Sequence, residues 1–279
     1  MKKGISIWSF GDISLKNAFT LAKKAGFDGV EVSLDMDGEI GLSADSSQYN
    51  KVKELAKNSE IELYSVASGL YWDFNYTSND RQKREKALDI TRKQLEAAAG
   101  LGCETILVVP GAVGVDFLPN NEVVDYRTAY QRAGEALSIL TVDAQREGVC
   151  IGVENVWNKF LLSPLEMERF LDEIGSPYVQ AYFDVGNVLY SGYPEQWIRI
   201  LKDKIKKVHF KDYRRAAGGL HGFVDLLAGD IDWPIVMDAF REVGYDGWMT
   251  AEMLPPYTHY SDQIIYSTGM AMERILSGK

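Results

Sequence analysis

The chain has 279 residues, 46% of them hydrophobic and 25% charged, enough apolar material to bury a sizeable core without disulfides or an obligate partner, as one large domain or two small ones. Its net charge of −10 at pH 7 repels a phosphate backbone, and no Lys/Arg cluster offsets it locally, which argues against nucleic acid as the main partner. No run of about 18 apolar residues is present, which argues against a helical membrane span.

The first segment, MKKGISIWSFGDISL, holds an apolar run too short for a signal peptide and broken by Ser and Gly, so a cytoplasmic location is expected. Within it GISIWSF (4–10) is the first of eight short runs rich in Val, Ile and aromatic residues, the composition of parallel strands buried on both faces. The others are GVEVSL (29–34), IELYSVAS (61–68), ETILVVPG (104–111), VCIGVENV (149–156), VQAYFDVG (179–186), KKVHFKD (206–212) and GWMTAEML (247–254). Between them lie segments with apolar residues at helical spacing, as at 14–27, 81–102 and 163–176. Gly26, Gly102, Gly148, Gly175 and Gly244 each follow such a run, where a helix commonly ends in a left-handed residue. Ser14, Ser46 and Ser163 stand before runs as N-caps. Cys103 and Cys150 lie at strand runs, the place of packed, reduced thiols, and two cysteines make no disulfide framework.

Eight alternating strand and helix units, with no Pro/Gly/Ser linker or low-complexity tract, predict an α/β fold: a single (β/α)8 TIM-barrel domain over 1–279. The competing fold, an open doubly wound sheet, normally carries a glycine-rich turn after its first strand. Here that turn reads SFGDIS.

The active site of a (β/α)8 barrel lies at the C-terminal ends of its strands, so polar residues there are the ones to inspect. Strands five to eight supply Glu154 in GVENV, Asp184 in YFDVGN, His209 in VHFKD and Glu252 in TAEML, each late in its strand. Adjacent staves would bring all four to one side of the mouth. Any one alone is explained as a strand-end group bonded to a loop; the set of four is not. Three carboxylates that close do not all stay ionised unless positive charge sits among them, and a divalent cation is the simplest source. Three oxygen donors and one imidazole suit Mn²⁺, with Mg²⁺, Co²⁺ and Zn²⁺ as further candidates.

Lys211 and Arg215 follow strand seven, near a place where barrels bind phosphate, and suit a ligand hydroxyl or a terminal phosphate. The plainer reading of Lys211 is a pair with Asp212 or a surface contact, and Arg214 reads as solvated. Trp8 ends the first strand run, and Trp72 and Trp157 lie just beyond the third and fifth; they can pack on a ligand's apolar face or simply fill space. His221, in the long segment after strand seven that could serve as a lid, and His259, before the last helix, lack neighbours at ligand spacing and are expected to face solvent or support other groups.

The series VENVWNKF, FDVGN, HFKDYRR with a following GDIDW, and TAEM resembles the sugar phosphate isomerase and epimerase superfamily, whose barrels are like xylose isomerase. Within it the chain is similar to ketose 3-epimerases such as tagatose 3-epimerase and L-xylulose 5-phosphate 3-epimerase, along most of its length and most strongly from 149 to 254. The resemblance implies that Glu154, Asp184, His209 and Glu252 are the metal ligands, and that the two glutamates are also acid and base. It implies that Arg215 contacts the substrate, and it matches Gly229, Asp230 and Trp233 to a family segment. Two positions depart from the tagatose type: Asn187 stands in place of a histidine, and Phe160 in place of a second glutamate. The DVGN form looks more like the phosphosugar branch. Asn187 thereby joins Arg215, Lys211, Trp157 and Trp8 as a candidate substrate contact.

What the resemblance implies is a metal-dependent epimerase that inverts C3 of a ketose or ketose phosphate through a cis-enediolate. An aldose–ketose isomerase or an inosose dehydratase would use the same enediolate logic on the same scaffold. Apurinic endonucleases share the barrel but bind three zinc ions with several histidines, against three histidines in all and an acidic surface here. A non-catalytic sugar-binding barrel is the remaining alternative, disfavoured by the retention of both glutamates. The expected partner is a small sugar or sugar phosphate, and pairing of the barrel into a dimer or tetramer is compatible with the sequence.

Overall fold

A computed structural model describes residues 1–119 and 121–278. Eight strands run parallel: β1 (Lys2–Ser6), β2 (Gly29–Ser33), β3 (Glu62–Ala67), β4 (Thr105–Val108), β5 (Cys150–Glu154), β6 (Val179–Asp184), β7 (Ile205–Phe210) and β8 (Trp248–Ala251). Each pairs with its successor, and β8 returns to β1 with Ala251 opposite Ile5, so the sheet closes into a barrel. The crossovers that parallel pairing requires are supplied by α1 (Leu15–Lys24), α2 (Ser46–Asn58), α3 (Arg81–Leu101), α4 (Tyr126–Glu147), α5 (Pro164–Ile174), α6 (Val185–Leu189), α7 (Pro194–Leu201) and α8 (Trp233–Glu242), and α9 (Ser261–Ser277) follows the last strand. Residues such as Val30, Val32, Ile106, Val108, Ile151 and Val153 are buried because one strand face fills the barrel and the other packs under helices, which is why the strands read as unbroken apolar runs.

Helix ends follow local chemistry. Gly102, Gly148 and Gly175 cap α3, α4 and α5 in the left-handed conformation, and Gly26 and Gly244, one residue beyond their caps, also have positive φ. Ser14 and Ser163 accept the backbone N–H groups of Asn17 and Glu166. At α2 the cap is Asp45 rather than Ser46: its carboxylate takes the N–H groups of Ser47 and Gln48, and the Gln48 side chain accepts the Asp45 N–H.

The strands end earlier than the apolar runs do. β1 stops at Ser6, and Ile7–Phe10 forms a 3₁₀ turn instead of the predicted continuation to residue 10. Ser9 Oγ in that turn accepts the N–H of Met253 across the mouth. Composition does not distinguish a buried strand from a buried turn, and Trp8 accordingly belongs to the mouth. At the opposite end the barrel is filled: Tyr64 stacks on Trp248 with ring centroids 3.8 Å apart and hydrogen-bonds Thr250, while buried Lys207 pairs with Glu104.

Both cysteines are buried and unpaired, and burial pushes the Cys150 thiol up to about 12. No helix among the described residues is long and apolar enough to cross a membrane.

Candidate active site

Glu154 closes β5, Asp184 closes β6, His209 is the penultimate residue of β7, and Glu252 is the first residue after β8. The Glu252 N–H still donates to the Phe210 carbonyl, so the sheet holds it as firmly as a strand residue. All four side chains are buried, none above 5% exposed, and one ligand atom from each lies within 4.8 Å of the others. His209 Nδ1 is 3.3 Å from Glu252 Oε2, 3.5 Å from Glu154 Oε1 and 3.9 Å from Asp184 Oδ2.

Local bonding aims these groups. Asp184 caps α6 through Oδ1, which accepts the Asn187 N–H at 2.7 Å, leaving Oδ2 for the shared site. Asn155 grips the Asp184 backbone on both sides, donating to its carbonyl and accepting its N–H. Asn187 donates to the Asn155 carbonyl, and Trp157 Nε1 donates to that of Asn187. The neighbouring segments ENVW and DVGN thus form one hydrogen-bonded unit.

A fifth carboxylate, Glu31 of β2, was not singled out in the sequence. It is fully buried; Oε1 lies 2.8 Å from His209 Nε2, and Oε2 accepts the Tyr182 hydroxyl at 2.5 Å. With Nε2 committed to Glu31, the ring turns Nδ1 toward Glu154, Asp184 and Glu252, the carboxylate–histidine pairing that orients metal-binding imidazoles. Glu31→Gln is expected to lower divalent-metal affinity about 10- to 100-fold. Titration calorimetry with Mn²⁺ reads this directly, and wild-type affinity in the variant would remove Glu31 from the site.

Lys211 Nζ lies 2.5 Å from Glu252 Oε2 and 3.0 Å from Asp184 Oδ2, at ion-pair distance but without hydrogen-bond geometry to either oxygen. Asp212, the plainer partner in sequence, faces the other way. Its carboxylate accepts the N–H groups of Tyr213, Leu227 and Ile231 and the Trp233 indole N–H. Gly229 packs so closely on Asp212 that an added Cβ would collide with the carboxylate. Asp230 accepts the Arg215 N–H. The GDIDW segment therefore folds around Asp212 and shapes the loop after β7.

Charge in the cluster is uneven. Burial pushes the Glu154 and Asp184 carboxyls up. Glu252 is also raised by burial, but the Lys211 ammonium and His209 more than offset this and hold it down to about 2. For His209 burial acts downward, yet Glu31 and Glu252 lift the ring well above the usual histidine range.

Three atoms of the cluster, Asp184 Oδ2, His209 Nδ1 and Glu252 Oε2, are buried without a hydrogen-bond partner. Buried polar atoms are rarely left so unless a ligand completes them. Three carboxylates and one imidazole form a donor set that fits a divalent cation.

Residues 19–267 match the family described as xylose isomerase-like TIM barrel. The chain belongs to that family. It is 27% identical over 249 residues to SgbU of Escherichia coli (strain K12), a protein provisionally named as an L-ribulose-5-phosphate 3-epimerase, with 87% of this chain and 84% of that one covered. A D-psicose 3-epimerase crystallised in the presence of D-fructose superposes over 100% of both chains with a TM-score of 0.79 at 18% identity. The IOLI protein with a bound zinc atom superposes with a TM-score of 0.81 at 17% identity, covering 100% of this chain and 99% of that one.

In this xylose isomerase-like barrel a cavity of about 1450 Å³ opens at the mouth and reaches two of the four donors, Glu154 and Glu252. Glu154, Glu252, Lys211 and Asn187 line it, as do Trp8, Trp72 and Trp157. His259, expected to face solvent or support other groups, is exposed and lies on this lining; His221 is exposed and does not. Arg215 is also absent from the lining: its Nε donates to the Leu189 carbonyl and its guanidinium sits 5.5 Å from the Tyr193 ring centroid. Phe160 is buried among Tyr126, Tyr130 and Phe170.

Proposed function

We propose that this protein is a divalent-metal-dependent ketose 3-epimerase, inverting C3 of its substrate through a cis-enediolate with Glu154 and Glu252 as acid and base. The observation that carries the reading is the pair of buried glutamates flanking Asp184 and His209 at the barrel mouth, in a chain related to proteins named as ketose 3-epimerases. Glu154, Asp184, His209 and Glu252 would hold the cation, Mn²⁺ being our first choice for this donor set. A divalent cation there supplies Lewis acidity that stabilises developing negative charge on a sugar's oxygens.

The protein's own groups do the rest. Glu154 and Glu252 stand on separate staves, so one carboxylate can take the C3 proton while the other returns a proton to the other face, and inversion follows. Both are anchored by strand backbone rather than a mobile loop, which keeps proton donor and acceptor in register with the carbon. Glu31 and Tyr182 fix the His209 ring, and the Asn155–Asp184–Asn187 unit fixes Asp184. Trp8, Trp72 and Trp157 give the cavity apolar walls for the sugar's C–H faces. Buried, unpaired thiols support a reducing, cytoplasmic setting.

The test is a screen of free and phosphorylated pentuloses and hexuloses with Mn²⁺ in D₂O. Uptake of deuterium at C3, accompanied by the C3 epimer, is the expected result. Epimerisation without label uptake would overturn the proton-transfer scheme.

A further inference from the structure

We propose that Lys211 is the site's resident counter-charge: its ammonium and a divalent cation compete for the same two oxygens, and loading the ion drives the ammonium off them toward the cavity. The inference rests on the cation-binding part of the reading above and is independent of the epimerase chemistry. Asp184 commits Oδ1 to the Asn187 N–H, so Oδ2 is the oxygen it has left for an ion. Glu252 Oε2 lies 3.3 Å from His209 Nδ1, on the inner side of the cluster. Lys211 Nζ stands against both of these atoms, 3.0 Å from Asp184 Oδ2 and 2.5 Å from Glu252 Oε2. An ion gripped by the four donors needs the same oxygens, and two cations repel strongly at such distances where water is excluded.

The local structure lets this contact be given up. Charge alone holds it: neither oxygen receives a hydrogen bond, so no directional geometry has to be broken. Only the far end of the side chain is free to move. Gly186 packs on its root, where an added Cβ would stand 2.5 Å from Lys211 Cβ and 2.9 Å from the Lys211 carbonyl oxygen, so the root is pinned while the distal carbons can swing. The ammonium also has a place to go. Lys211 lines the cavity, and Phe223, on the same lining, presents its ring 5.7 Å from Nζ, within reach of a cation–π contact.

Lys211 stands at a boundary: it lines the cavity with Glu154 and Glu252, whereas Asp184 and His209 do not. It is the single Lys or Arg on that lining, so no second side chain can take over its charge. Without an ion the ammonium keeps two buried carboxylates partnered, a pairing that is costly to break from one side. With an ion in place its three N–H donors are released toward the space a sugar would occupy. Loading of the cation and the readiness of Lys211 for a ligand oxygen are therefore one event.

Lys211→Met removes the charge and keeps an unbranched stem. By calorimetry it should bind Mn²⁺ about tenfold more tightly than wild type, inside the roughly 5- to 150-fold range usual for coupled sites; loss of a lysine that merely supported the fold would weaken the ion or leave its affinity unchanged. The chelated variant should melt below chelated wild type, with the gap narrowing in saturating Mn²⁺. Lys211→Arg retains the charge and should bind Mn²⁺ less tightly than Lys211→Met. Wild-type protein supplies a reading that needs no variant: reductive methylation of Lys211, mapped by mass spectrometry against the exposed Lys83, should run faster in Mn²⁺-loaded than in chelated protein. None of these measurements depends on turnover. A Lys211→Met protein that binds Mn²⁺ no more tightly than wild type, or Lys211 labelling that does not rise with Mn²⁺, overturns the exchange and leaves the cation site standing. If neither wild type nor Lys211→Met takes up a divalent ion, the cation site itself falls and the exchange with it.

Discussion

Replacing Glu252 with glutamine is expected to lower turnover by roughly 10²- to 10⁴-fold at saturating Mn²⁺, and Glu154→Gln to do the same with a different isotopic signature. For one C3 epimer, one of the two carboxylates takes the proton and the other delivers. Losing the acceptor stops exchange altogether. Losing the donor leaves the acceptor able to remove the proton and return it to the same face, so label enters C3 without inversion. With the opposite epimer as substrate the two variants should exchange roles. Glu154→Gln removes a charge that burial already disfavours and keeps the side chain's shape, whereas Glu252→Gln takes a buried partner from Lys211, leaving it Asp184, and is expected to cost stability as well as turnover. Melting temperatures check that point, and mass spectrometry of recovered sugar in D₂O reads the exchange. Two variants that lose inversion and exchange together on both epimers would sink the two-carboxylate scheme.

The sequence made the barrel legible because each buried parallel strand is a short Val/Ile/aromatic run, and eight of them alternate with helical periodicity. Glu154, Asp184, His209 and Glu252 stood out for a related reason, as polar groups at the ends of runs that otherwise tolerate none. Glu31 carried the same signal, a carboxylate between Val30 and Val32, but it sits mid-strand, and only the closed barrel places β2 across from His209. Lys211 was read as a substrate contact or a pair with Asp212. Its true neighbours come from β6 and β8, and sequence adjacency gives no hint that Asp212 turns toward the loop after β7 while Lys211 turns into the barrel. The early end of β1 and the turn of Arg215 toward Leu189 are set by where chain segments meet around the mouth. Order and periodicity specify the staves; they do not specify which side-chain tips converge.

Exhaustive removal of divalent metal is expected to abolish turnover, and its return to restore both activity and several degrees of thermal stability. Without a cation, Asp184 Oδ2, His209 Nδ1 and Glu252 Oε2 are buried without hydrogen bonds and only Lys211 stands at ion-pair distance from the two carboxylates, so a bound ion adds partners that exist only in the folded chain. A ligand at 100 times its dissociation constant adds about 2.7 kcal/mol to stability, a shift that a melting curve resolves for a chain of this size. The same binding should release protons. Glu31 and Glu252 hold His209 well above the usual histidine range in the metal-free protein, and an imidazole must give up the Nδ1 proton to bind a cation. Affinity therefore rises with pH for as long as the free ring is protonated, and levels off once it is neutral. Calorimetry in buffers of different ionisation enthalpy counts the released protons. Asp184→Asn, which weakens one donor and spares both glutamates, should raise the metal concentration needed for half activity and recover part of the turnover when metal is in large excess. A chelated protein that keeps its activity, or a melting temperature indifferent to Mn²⁺, would show that the four staves do not grip a cation.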